Sequence, residues 1–151
     1  MNRCLIDATV WAEYLRGGRA DVRERVDKLL DGNRAVVCGV VLAALLAGVD
    51  GEPDRRFLEE CLRGVPFLEA GRDAFAVAGR MAAALRRRGD AAALADLLLL
   101  ALAREHRLAL YTFNDRLAGL ARAQGVAVAA SPVAGPAAPV RCGRSANHRG
   151  G

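Results

Sequence analysis

Asp7, Asp96 and Asn114 are polar residues set where the surrounding sequence is built for burial. Asp7 closes a short apolar run from Arg3 to Ile6 that has the length of a buried strand. Ligands of parallel α/β sheets gather beyond the carboxyl ends of strands, so this carboxylate either faces a site or caps the following helix. Asp96 opens the run Leu97 to Ala103, which is apolar on every face. An unpaired carboxylate there costs several kcal/mol and requires a cation, hydrogen-bond donors or a cleft, unless it merely caps a helix. A first-turn position also places it at the favourable end of the helix dipole. Asn114 follows Tyr111-Thr112-Phe113 beyond another strand-like run, beside Asp115, which is suited to capping. These two residues either join the same site or only shape a turn. Gathered at one sheet edge, such oxygen ligands suit Mg²⁺ or Mn²⁺ rather than zinc. Ions of that kind activate water and stabilise charge during phosphodiester cleavage.

The elements that must position these residues are legible from periodicity. Strands are expected at Arg3–Ile6, Ala35–Cys38, Val65–Leu68, Leu108–Tyr111 and Val126–Ala129. Helical spacing covers Thr9–Leu15, Asp21–Leu30, Val40–Ala47, Arg55–Leu62 with Pro53 at its start, Ala74–Arg88, Ala92–Arg104 and Asp115–Ala123. Gly17-Gly18, Asp31-Gly32-Asn33, Gly48 and Gly89 punctuate them. Short apolar strands alternating with helices predict an α/β fold with a central, mostly parallel sheet covered on both faces. Residues 1–130 form one domain on this reading. From Ser131 to Gly151, Pro, Gly, Ala and Arg prevail without periodicity, which predicts a disordered tail.

Composition narrows the function classes. The chain has 151 residues and a formal charge of +5, but Arg141, Arg144 and Arg149 of the tail supply much of that excess and leave the body close to neutral. Basic balance is therefore a weak argument for nucleic acid. The four cysteines, at 4, 38, 61 and 142, have no short paired spacing, and His106 and His148 add none, so no zinc site is indicated. Cys4 and Cys38 read as small core hydrophobes in a reducing, cytoplasmic protein. The longest apolar stretch, Ala91 to Ala103, contains Asp96 and is too short to span a bilayer. Asp7 and Glu13 interrupt any signal-peptide run. The only serines, Ser131 and Ser145, lie in the tail, and Lys28 is the sole lysine, so neither a serine-hydrolase core nor a P-loop exists.

Four segments together resemble the VapC-type PIN-domain ribonucleases. Leu5-Ile6-Asp7-Ala8-Thr9-Val10-Trp11 is similar to their opening motif, Val41 to Leu46 to the second, Leu94-Ala95-Asp96-Leu97-Leu98 to the third, and Leu110 to Asn114 to the fourth. The resemblance covers about residues 2 to 130 and implies a PIN-like three-layer α/β/α fold. It also implies a Mg²⁺- or Mn²⁺-dependent endoribonuclease, the toxin of a toxin–antitoxin pair, often a homodimer bound by its antitoxin. By position, Asp7 and Asp96 would be metal ligands, Thr9 would support the site through its hydroxyl, and Asn114 would orient a water or a phosphate.

One departure stands out. The second motif normally carries Glu where this chain has Ala44, and Asp50 and Glu52 lie beyond Gly48, too far along to replace it. Deliberate inactivation, natural decay and compensation by another acid remain open, and the expected consequence is a nearly inactive chain. The alternative is a catalytically dead scaffold that binds RNA or an antitoxin. Arg86, Arg87 and Arg88 either guide an RNA backbone or simply form a solvated helix end. Trp11, Tyr14 and Leu15 are either an antitoxin contact or ordinary core.

Overall fold

The computed structural model describes residues 3–129. Strands β1 (Cys4–Ile6) and β2 (Ala35–Cys38) are buried at every residue, so helices cover both faces of the sheet at its centre. Helices α1 (Ala8–Leu15) and α2 (Ala20–Asp31) connect them. After β2 come α3 (Gly39–Ala47), α4 (Glu52–Arg63) and the two-residue edge strand β3 (Phe67–Leu68). The chain then runs through α5 (Arg72–Arg87) and α6 (Leu94–Glu105) to β4 (Ala109–Tyr111) and α7 (Asp115–Ala123).

The four strands lie in the order β3-β2-β1-β4, and every pair is parallel. Register is fixed by pairs such as Cys4 with Ala35 on one side and Leu5 with Leu110 on the other. Successive strands step outward from β1 to β3, and the chain then returns to place β4 on the opposite flank of β1. The reversal makes the carboxyl ends of β1 and β4 the crevice where such sheets receive ligands.

Most expected elements appear within a residue or two of their predicted bounds. The last strand is reduced to one parallel bridge between Leu110 and Val128, flanked by hydrogen bonds from Leu110 N to Ala127 O and from Ala129 N to Leu110 O, each 2.8 Å. The predicted tail, residues 131–151, lies outside the described residues. α6 explains its own composition: Leu97 through Ala103 are all buried, because the helix packs on α5 and also meets α3, α7 and β4. Each fully buried leucine contributes roughly 1.5–3 kcal/mol of apolar transfer, which makes α6 the main stabiliser of this side of the sheet.

Trp11 is 1% exposed, so it is core and offers a partner nothing. Half-buried Tyr14 and Leu15 pack against the same core, and the Tyr14 hydroxyl donates to Asp27 at 2.6 Å. Cys4 and Cys38 are buried free thiols, and burial pushes Cys4 up to about 11. Arg86, Arg87 and Arg88 are exposed at the end of α5, where cations suit the helix dipole. No helix among the described residues is long and apolar enough to cross a membrane.

Candidate active site at the ends of β1 and β4

Asp7 is 8% exposed and combines the two roles open to it. Its Oδ1 accepts from the backbone N–H of Ala8 at 2.7 Å, at the cap position of α1. Its Oδ2 accepts from the hydroxyl of Thr9 at 3.0 Å and from that of Thr112 at 2.7 Å. Three donors hold one carboxylate in place, which fixes its rotation. The Asp7 backbone N–H also donates to Tyr111 O at 2.9 Å, which extends the β1–β4 ladder to the acid itself.

Thr9 and Thr112 tie this carboxylate to the segment after β4. Thr9 Oγ1 accepts from Phe113 N at 3.1 Å, and Thr112 Oγ1 accepts from Asn114 N at 3.0 Å. Asn114, not Asp115, caps α7: its Oδ1 accepts from Arg116 N at 3.1 Å and Leu117 N at 3.2 Å. Asp115 is already the first helical residue and is exposed. With its oxygen committed to the cap, Asn114 turns its amide toward Asp96, donating from Nδ2 to Oδ2 at 3.3 Å.

Asp96 does not cap α6. It is the third residue of the helix, and the cap position, Ala93, makes no side-chain bond. Burial pushes its carboxyl up, the charge of Asp7 adds to that, and the Asn114 amide opposes both. Hydrogen bonds lead from Asp7 through Thr112 and Asn114 to Asp96, so the two acids, far apart in sequence, lie at one edge of the sheet.

Cys38, the last residue of β2, also feels the charge of Asp7, so the amino end of α3 adjoins the same rim. Ala44 on that helix is exposed and brings no oxygen there. Among the described residues, no group of three or more metal-ligating side chains forms. Asp7 and Asp96 nonetheless fit a weakly held divalent ion, since Mg²⁺ commonly uses one or two carboxylates, water and substrate phosphate.

Two features escaped the sequence reading. Thr112, 5% exposed, joins both strand ends, and its only signal was a hydroxyl at the end of an apolar strand. Arg116 pairs with Asp90 at 2.7 Å and donates to Ala91 O at 2.9 Å, fastening the loop before α6 to α7. The hydrogen bond from Arg116 holds Asp90 below its ordinary value.

Comparison with known proteins agrees with this architecture. Residues 4–123 match the PIN domain family, and the chain belongs to it. The fold is similar to that of VapBC from Salmonella typhimurium bound to DNA, with a TM-score of 0.69 and 20% identity over 85% of this chain and 98% of that one. VapBC2 from Rickettsia felis, bound to a promoter DNA fragment, gives 0.68 and 15% over 83% and 96%. FitAcB from Neisseria gonorrhoeae gives 0.65 and 23% over 83% and 95%. No curated protein shows a significant match to the sequence.

Proposed function

We propose that the chain is the toxin component of a VapBC-like pair, built as a cytoplasmic metal-dependent endoribonuclease and impaired by Ala44. The observation that carries this reading is the hydrogen-bonded path from Asp7 through Thr112 and Asn114 to Asp96 at the crevice between β1 and β4. Asp7 and Asp96 would hold Mg²⁺ or Mn²⁺, an ion that supplies water activation and charge neutralisation at phosphorus. Thr9 and Thr112 hold the Asp7 carboxylate in place through their hydroxyl donors. Asn114 donates its amide to Asp96, and on this reading it would also orient a water or a phosphate. RNA is the substrate on this reading, and a cognate antitoxin and a second copy of the chain are its partners. Support for the antitoxin comes from a similar fold, that of a toxin–antitoxin complex from Klebsiella pneumoniae, with a TM-score of 0.62 and 17% identity over 75% of this chain and 88% of that one.

The test is restoration. Ala44→Glu is expected to yield Mg²⁺- or Mn²⁺-dependent RNA cleavage, abolished again by Asp7→Asn. Exposed Ala44, with no third acid beside the pair, favours a second reading in which the chain binds RNA or an antitoxin without cutting. A folded Ala44→Glu protein without cleavage would decide for that binding module.

A further inference from the structure

The acidic pair leaves Glu13 unexplained. It lies in the last turn of α1 and is 6% exposed, the least exposed carboxylate among the described residues. A negative charge there opposes the helix dipole as well as being desolvated, so it needs strong compensation. The compensation is local. Glu13 Oε2 accepts from Arg16 Nη2, and Oε1 accepts from the backbone N–H of Arg19 at 2.8 Å. Gly18 donates its N–H to Glu13 O at 3.0 Å, and a Cβ on Gly18 would overlap Glu13 Oε1. The turn from α1 to α2 is wrapped around this one side chain.

From the turn, contacts lead back to the acids. Arg19 lies over the ring of Phe113, 5.8 Å from its centroid, with its guanidinium bonded to Asp21 at 2.6 and 3.1 Å. The Phe113 N–H donates to Thr9 Oγ1, and the Thr9 hydroxyl donates to Asp7. Phe113 thus contacts the turn through its ring and the acid's support through its backbone.

We propose that Glu13 is a positioning residue for Asp7. By fixing the turn it holds Arg19 against Phe113, and Phe113 in turn keeps the Thr9 hydroxyl aimed at the carboxylate. Its importance for cleavage rests on the nuclease reading; the mechanical link from Glu13 to Asp7 does not.

Amide hydrogen exchange of the full chain tests the link directly. Glu13→Ala and Gly18→Ala, which remove or expel the carboxylate by unrelated means, are each expected to speed exchange at Phe113 about tenfold or more. The Val37 amide, bonded to Pro66 O at 3.0 Å in the sheet, should keep its protection. Glu13→Gln retains an oxygen for the Arg19 N–H and should change Phe113 less. In the Ala44→Glu background, Glu13→Ala should lower kcat with little change in the KM for RNA. Unchanged exchange at Phe113 in both variants, or equal loss at Phe113 and Val37, overturns the proposal. Absence of cleavage in Ala44→Glu alone overturns the nuclease reading and leaves the exchange result to decide the role of Glu13.

Discussion

Glu13 and Asp96 are both carboxylates drawn out of water, and their surroundings move them in opposite directions. Burial raises each. At Glu13 the Arg19 amide and the Arg16 guanidinium outweigh that effect and hold the carboxyl below its ordinary value. At Asp96 the charge of Asp7 adds to burial, and the single Asn114 amide does not reverse it. Glu13 is an acid satisfied by its neighbours, and it shapes a turn. Asp96 is an acid whose neighbours do not offset its burial, the kind of perturbed group that marks a candidate site.

The largest effect that would break this contrast concerns activity. In the Ala44→Glu background, Asp7→Asn is expected to cut RNA cleavage by at least about 100-fold, read from initial rates with Mg²⁺ or Mn²⁺. A rate that survives would remove the acidic pair from the chemistry. Next comes Glu13→Ala, expected to destabilise the fold by about 2 kcal/mol, because the Arg19 amide and the Arg16 guanidinium both lose their acceptor. Denaturant titration checks it. Thr112→Val should cost roughly 1–2 kcal/mol, because the hydroxyl both donates to Asp7 and accepts from the Asn114 N–H.

Asp96→Asn should move the other way. At neutral pH it removes a repelled charge, and a rise of a few degrees in Tm is expected while any activity is lost. A fall in Tm would mean that Asp96 is structural after all.

The smallest effects are in the pH dependence, and their signs differ. The folded-state pKa of Glu13 is depressed, so its contribution is fully present above the ordinary carboxyl value of 4.5 and is lost as pH falls through the lower folded value. The Tm gap between the parent and Glu13→Gln should therefore close on acidification. The folded-state pKa of Asp96 is raised, so its penalty is absent below 3.8 and grows as pH climbs through the folded value. The advantage of Asp96→Asn should also vanish in acid, but from the opposite side. Two gaps of the same sign at pH 7 would contradict the comparison.

Element types were legible because period and punctuation are local. The helical spacing of Asp115 to Ala123 matches α7, and the β-branched run Ala35 to Cys38 matches β2. The site was legible in part. Asp7 and Asp96 stood out because charge beside continuous apolar sequence is expensive, whereas Asp115 read as the cap of α7 until backbone geometry placed the oxygen of Asn114 on two amides. Thr112 and Glu13 gave no distinct signal: one is a hydroxyl common at strand ends, the other an acid on a short helix beside a double glycine.

The sequence by itself determined the alternation of short apolar strands and helices and the family to which the chain belongs. Apolar periodicity and turn residues are properties of neighbouring positions, so no fold is needed to read them. Only the tertiary structure decided that β4 returns beside β1, that Thr112 reaches an acid 105 residues away, and that Asp96 feels the charge of Asp7. Hydrogen bonds and Coulomb repulsion act over a few ångströms of space, and distance in space is set by packing rather than by order along the chain.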